Sequence, residues 1–360
     1  MRAFVLTTLC VLAACGTRDE TAASSSAPIL GGYWDESAGP TVGIFRCDGA
    51  CAFTPYLNPI EICSGTLIAP NLVLTARHCV APQINADNGV LCSVSTFGPV
   101  YPADNFIITP AKNVLAGGPW YIAREVDVDG KDGDLVCGTD VAVLHLRSPY
   151  LGATPMAPRL ATPPAIGELY SAIGYGDDGD GGIGFRHRRD DLKVKCVGSA
   201  CKSLGLDHAP LSLESEFQGQ TGLCGGDSGG PAVDANGLLF GVTTRGAATC
   251  SEPVYSRVDS HAAWLQSQGV RAAQFGDYAL PAWAYETLPK DAGAEAGFDA
   301  SPPAFDAGSD ASTAVPAQAV GGCEASPPES GKLGSDTSAW ALFSGVLLLR
   351  FSRKRSKSTS

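Results

Sequence analysis

Residues 225–231 read Gly225-Gly226-Asp227-Ser228-Gly229-Gly230-Pro231. A serine set among glycines rides on backbone that can turn sharply and aim successive N–H groups at one point. A developing oxyanion needs such donors, and the hydroxyl beside them is a candidate nucleophile. The hydroxyl also needs a base next to it and an acid to orient that base. The stretch therefore predicts a loop that presents a reactive serine, with partners supplied from elsewhere in the chain.

Two segments upstream offer those partners. Leu74-Thr75-Ala76-Arg77-His78-Cys79 sets a histidine beside a cysteine, and Cys63-Ser64-Gly65-Thr66-Leu67-Ile68 lies sixteen residues before Cys79. Gly138-Thr139-Asp140-Val141-Ala142-Val143-Leu144 puts an aspartate at the head of an apolar, strand-like run. The chain order is His, Asp, Ser.

Around these segments the pattern is that of a β-protein. Between residues 29 and 270, strand-length apolar runs alternate with Gly-, Pro- and Asp-rich breaks: Gly65–Ile68, Leu72–Leu74, Asn105–Ile108, Val141–Leu146, Tyr170–Ile173, Leu238–Val242 and Val254–Val258. No strand–helix alternation is present. Asp259–Gln268 is the clearest helix, with Asp259 or Ser260 as its cap and Gly269 at its end. Many strands followed by one late helix predict an all-β barrel or sandwich.

At this point the sequence resembles the chymotrypsin/trypsin family of serine proteases, over Ile29 to about Gln268. The resemblance implies two six-stranded antiparallel β-barrels and a C-terminal helix, with the site in the cleft between the barrels. It implies a serine endopeptidase working through an acyl-enzyme: Ser228 the nucleophile, His78 the base, Asp140 the orienting carboxylate, and the N–H groups of Gly226 and Ser228 the oxyanion hole. A bridge between Cys63 and Cys79 would clamp the histidine loop, and Cys224 and Cys250 stand where the family bridges the active-site loop. Gly174-Tyr175-Gly176 resembles the family's Gly-Trp-Gly, and Val254–Val258 its last strand. A catalytically silent, protease-shaped binding module and an esterase are the competing functions.

The same resemblance implies activation by cleavage before Ile29-Leu30-Gly31-Gly32, after which the Ile29 ammonium pairs with Asp227. Here Pro28 precedes Ile29, where the family has arginine or lysine. In the specificity pocket, Gly222 stands where trypsin-like enzymes carry aspartate. Gly246 aligns with the pocket-wall glycine, Thr244 replaces a serine and Arg245 a tryptophan. Apolar residues are the expected preference.

Composition agrees with an exported, loop-rich chain. Its 360 residues include 43 glycines and 25 prolines, and only 17% are charged. The net charge is −12, of which −7 lies in one tail: Asp291 to Asp336 holds eight acidic residues against Lys332. An acidic chain argues against nucleic acid as a partner; the family resemblance implies a peptide or protein substrate. A monomer without cofactor or metal is expected. There are 13 cysteines, ten of them between Cys47 and Cys250. An even set in an oxidising place predicts disulfides. Cys47/Cys51 and Cys196/Cys201 also have zinc-ligand spacing. The pairing of Cys47, Cys51, Cys92, Cys137, Cys196 and Cys201 stays open. Asp127–Asp134 is dense in oxygen ligands but does not follow the calcium-loop pattern, so a solvated acidic turn is expected. His145, His187, His208 and His261 read as structural or surface histidines.

Both ends carry targeting patterns. Met1-Arg2 followed by apolar Ala3–Ala14 reads as a signal peptide. Leu12-Ala13-Ala14-Cys15 resembles the bacterial lipoprotein box, with ordinary cleavage and an incidental Cys15 as the alternative. Residues 289–337 are low-complexity and read as a disordered spacer. Gly321-Gly322-Cys323, apolar Ala339–Leu349 and a basic tip resemble the myxobacterial C-terminal sorting tail, with a plain tail anchor as the alternative. Membrane contact is thus expected only through these anchors, on the cell surface or outer membrane, with extracellular release as the alternative. The implied organisation is 1–28 signal and propeptide, 29–270 protease domain, 271–337 acidic linker and 338–360 sorting segment.

Overall fold

The computed structural model describes residues 29, 31–37, 39–51, 61–86, 89–130, 133–177, 183–201, 214–220, 222–247 and 249–287. Cys15, Pro28, His208 and Cys323, together with the signal segment and the tail beyond residue 287, lie outside the described residues.

After a short edge strand, β1 (Tyr33–Trp34), the first half supplies β2 (Thr41–Arg46), β3 (Glu61–Ala69), β4 (Leu72–Thr75), a two-strand hairpin of β5 (Gln83–Ile84) and β6 (Thr96–Phe97), β7 (Phe106–Thr109), β8 (Tyr121–Val128) and β9 (Ala142–Leu146). Six of these close into an antiparallel barrel in the order β2-β3-β4-β9-β8-β7. The interior is aliphatic: Val42, Ile44, Leu67, Val73, Leu74, Ile108, Val143 and Leu144 are all 1% exposed or less. Gly65 is required there, since a Cβ would stand 2.8 Å from both Ile44 Cδ1 and Val73 Cγ1.

The second half supplies β10 (Leu169–Gly174), β11 (His187–Lys193), β12 (Cys196–Val197), β13 (Glu216–Gln218), β14 (Pro231–Val233), β15 (Leu239–Arg245) and β16 (Val254–Arg257). The ladder runs β1-β11-β10-β14-β15-β16-β13-β12. Its far members, β11 and β12, are one continuous segment, residues 187–197. The first part pairs with β10 and the second with β13. The sheet therefore curls round on itself, and the second barrel has six walls: β10, β11/β12, β13, β16, β15 and β14. Its core is aromatic, with Phe217 stacked on Tyr255 at 4.7 Å and on Phe240 at 5.3 Å, and Tyr170 edge-on to all three. This is the all-β, two-barrel architecture the sequence implied.

The helix differs from expectation in both its ends. A 3₁₀ turn covers Asp259–His261, and α1 runs Ala262–Gly276, seven residues past Gly269. Asp259 does not cap it; its carboxylate takes the Arg257 guanidinium at 2.5 Å. Gly269 is not a terminus but a packing site: a Cβ would lie 2.5 Å from the Trp283 ring, whose indole is 6% exposed. The helix ends instead at Asp277, in the left-handed conformation with φ 51°. Packed structure thus extends beyond residue 270 to Trp283 and Ala284.

The acidic stretch is a solvated turn only in part: Gly130, Gly133 and Asp134 are exposed, Asp129 is buried, and Asp132 lies outside the described residues. Asp127 accepts from Gln268 and pairs with Arg271, Asp129 pairs with buried His261 at 2.7 Å, and Asp134 pairs with Arg77. The Arg271 and Arg77 guanidinium groups neutralise Asp127 and Asp134. Cys47–Cys51, Cys92–Cys137 and Cys196–Cys201 are disulfides, so neither close-spaced pair offers zinc thiolates. His145 is fully buried on Gln268, consistent with a structural role. His187 is also buried, at 1% exposure.

Candidate active site

The first barrel presents His78 and Asp140. His78 stands in a one-turn 3₁₀ helix (Arg77–Cys79) immediately after β4, and Cys79 is bridged back to Cys63 on β3. Asp140 stands just before β9, the neighbour of β4 in the barrel wall, so pairing of these two strands brings the residues together. The contact is double: the His78 backbone N–H donates to Asp140 Oδ1 at 2.8 Å, and Nδ1 meets Oδ2 at 2.8 Å. Asp140 is fully buried, while the His78 side chain keeps 15% exposure. Burial pushes the His78 imidazole down, but the charge and hydrogen bond of Asp140 outweigh it, and the net displacement is upward from 6.5.

The second barrel presents Ser228 from the loop before β14. Three contacts seat this loop on the histidine side. Ser64 N–H donates to the Ser228 carbonyl at 2.7 Å. Ser64 Oγ donates to the Gly226 carbonyl at 2.8 Å. Gly229, at φ 83°, lies so close to Thr75 Oγ1 and the Ser64 carbonyl that no Cβ fits. Thr75 Oγ1 also donates to that same Ser64 carbonyl. Ser64 accepts in turn from the Tyr175 N–H at 3.0 Å, so one hydroxyl joins three segments. Its only sequence signal was its place next to Cys63. The Ser228 hydroxyl and the N–H groups of Gly226 and Ser228 take no partner among the described residues, and Gly226 has φ 98°.

Asp227 points the other way, into the protein. It is 1% exposed, with Oδ1 taking the Gly176 N–H at 2.8 Å and Oδ2 the Cys224 N–H at 2.9 Å. No cation pairs with it among the described residues. Burial pushes its carboxyl up to about 7, against the pull of those two donors. Gly174 and Gly176 must be glycines, since a Cβ at either would run into this carboxylate. Ile29 is fully buried in the second core with Leu223 and Tyr170, and no ion pair joins it to Asp227.

A cavity of about 220 Å³ opens beside Ser228, lined by Leu223, Cys224, Gly225, Thr243, Arg245, Gly246, Ala247 and Cys250. The Cys224–Cys250 disulfide forms part of its wall. Of the three expected pocket residues, Gly246 lines it. Gly222 and Thr244 stand behind: Gly222 N–H is bonded to the Cys250 carbonyl and the Thr244 hydroxyl to the Val254 carbonyl. Leu223 and Thr243 take their places, because alternation along β15 turns Thr243, not Thr244, towards the space. Cys63, His78 and Cys79 bring three potential metal ligands together, but the two sulfurs are spent in a disulfide.

A family model described as Trypsin matches residues 52–265. Among curated proteins, brachyurin of Leptuca pugilator is 26% identical over 220 residues, covering 59% of this chain and 90% of that protein. A trypsin of Saccharopolyspora erythraea is 28% identical over 219 residues, covering 58% and 87%. Tonin of Rattus norvegicus is 24% identical over 214 residues, covering 57% and 80%.

Proposed function

This chain belongs to the trypsin family, and on that premise we propose that it is a serine endopeptidase whose acyl-enzyme forms on Ser228. The carrying observation is the doubly bonded His78–Asp140 pair, with the Ser228 loop held on Ser64 and Thr75 of the same barrel. In this reading His78 Nε2 takes the Ser228 proton as Oγ attacks the scissile carbonyl. Asp140 holds the proton on Nδ1 and favours the imidazolium that forms. The carbonyl oxygen, now negative, accepts from the N–H groups of Gly226 and Ser228. His78 then gives its proton to the leaving amine, and water repeats the sequence to release the acid.

Leu223, Ala247 and Thr243 around the cavity, with no carboxylate among its lining residues, support an apolar or small uncharged side chain before the scissile bond. Arginine and lysine would enter without a counter-ion. Five disulfides support an oxidising, exported setting. Lipidation at Cys15 and sorting through Cys323 complete the proposed organisation. Mass spectrometry that finds both cysteines unmodified would remove those anchors. No helix among the described residues is long and apolar enough to cross a membrane.

The test is a fluorophosphonate probe on the mature protein and on Ser228→Ala. Labelling of the first alone, at Ser228, is the expected result. A folded protein that takes no label overturns the proposal and favours the silent, protease-shaped module.

A further inference from the structure

Among the buried polar groups, one ion pair is not explained by the site as described. Glu216, at the start of β13, is fully buried. Arg245, at the end of β15, meets it with both terminal nitrogens, at 2.6 and 2.8 Å. A buried ion pair is weak evidence for stability, because desolvating both charges offsets most of their attraction. What surrounds this pair points to another role.

Glu216 Oε1 accepts from the Gly138 N–H at 2.9 Å, with both residues buried. Ser215, next to Glu216, donates its hydroxyl to the Gly138 carbonyl at 3.1 Å. Gly138 has φ 86° and stands two residues before Asp140. The same turn is held by the Cys92–Cys137 disulfide and by Ser256 Oγ donating to the Asp140 carbonyl at 3.3 Å. Glu216, Ser215 and Ser256 belong to the second barrel, whereas Asp140 belongs to the first. Arg245 meanwhile lines the cavity beside Ser228, and its side chain keeps 15% exposure.

We propose that Glu216 and Arg245 are a positioning pair: Glu216 fixes, through Gly138, the turn that presents Asp140, and Arg245 both holds Glu216 and sets the charge that His78 feels from the pocket side. This rests on the serine-protease reading above. The charges that reach His78 are Asp140 from the turn, Glu61 at the start of β3, itself paired with Arg46, and Arg245 from β15. The adjoining Arg77 is paired with Asp134. Asp140 and Glu61 push the imidazole up, and Arg245 pushes it down. Burial is the larger downward push on the imidazole, and Arg245 adds to it from the pocket side. A neutral side chain in the same place would fill the space without doing so.

The test uses the mature protein, cleaved before Ile29, and two readouts. One is the titration of the His78 ring by NMR, assigned with His78→Gln. The other is the rate of fluorophosphonate acylation against pH. Arg245→Met should raise the His78 midpoint by about half a pH unit or more, as removal of a nearby partly buried charge requires. Arg245→Lys, which keeps the charge, should leave it within about 0.2 unit of wild type. Arg245→Met strands the buried Glu216 carboxylate, so Arg245→Met/Glu216→Gln, which buries no charge, is the second variant. It should also titrate higher than wild type, because Arg245 and not Glu216 is the member that reaches His78.

Glu216→Gln keeps an acceptor for Gly138 and should hold the plateau acylation rate within about threefold. Glu216→Leu removes the acceptor and should cost about tenfold or more, the effect of one lost buried hydrogen bond on a positioned group. A wild-type titration in the folded Arg245→Met or double variant, or equal plateau rates for Gln and Leu at 216, overturns the proposal. If wild type takes no label at all, the protease reading fails instead, and the His78 titration still judges the pair.

Discussion

Gly229 lies directly on Thr75: a Cβ at 229 would fall inside van der Waals contact of Thr75 Oγ1 and of the Ser64 carbonyl. This approach is what seats the serine loop of one barrel on the histidine turn of the other. Gly229→Ala is expected to lower stability by about 1–3 kcal/mol, the usual range for overpacking, with the added strain of φ 83°. For a domain of this size that is a fall in Tm of roughly 2–4 °C per kcal/mol. Thermal unfolding checks the first effect. The serine loop should also lift off Thr75, which loss of fluorophosphonate labelling below the new Tm checks.

The proposed base must be neutral to accept the serine proton. Asp140 holds the His78 imidazole above 6.5, so activity should rise with pH through a midpoint above that value. The acid limb of kcat/KM against pH on a peptide ester reads this midpoint. A midpoint below 6.5 would contradict the Asp140–His78 geometry.

Asp227 predicts a stability signature of the chain that is still intact at Pro28–Ile29. Its folded value, about 7, lies above the ordinary 3.8. The folded state therefore holds this proton more tightly than the unfolded state. The contribution is fully present below pH 3.8 and is lost as pH rises through 7. Cleavage before Ile29 would supply an ammonium to pair with the carboxylate and remove that slope. Denaturant midpoints from pH 4 to 8, compared between intact and cleaved chains, measure the difference. Parallel curves would count against Asp227 as the partner of a freed Ile29.

Gly269→Ala separates propensity from packing. In an isolated helix the change would gain about 1 kcal/mol. Here the new Cβ would stand 2.5 Å from the Trp283 ring, so α1 must shift or Trp283 must leave its site. A net loss of stability is expected, read as a lower denaturant midpoint with an altered tryptophan emission. A gain would mean that Trp283 is dispensable.

Much of this architecture was legible in the sequence, because short apolar runs and turn residues report strands locally. Gly65–Ile68, Leu72–Leu74 and Tyr170–Ile173 all fall within observed strands. The segments of His78, Asp140 and Ser228 stood out because each carries its own flanking signature, and the structure joins the first two by hydrogen bonds. What escaped was set by contacts distant in sequence. Gly269 looked like a stop because Trp283, which makes it a contact, lies outside the helix. Glu216 carried no signal in the sequence, because its counter-ion, Arg245, stands 29 residues away. Leu223 and Thr243 were missed as cavity walls because alternation along a strand does not say which face meets the pocket. The pairing of Cys92 with Cys137 followed only once the turn before Asp140 had been folded.

Ser64 has a consequence for how this protein would fail. Its amide and hydroxyl grip the carbonyls of Ser228 and Gly226 across the seam, while the rest of β3 is woven into the first barrel. In the proposed enzyme, turnover would therefore report the alignment of the two halves, whereas circular dichroism reports each half by itself. On gentle heating or in dilute denaturant, the inactivation curve should run ahead of the loss of β-structure. The protein would then pass through a stage that is intact to the spectroscopist and already mute to its substrate.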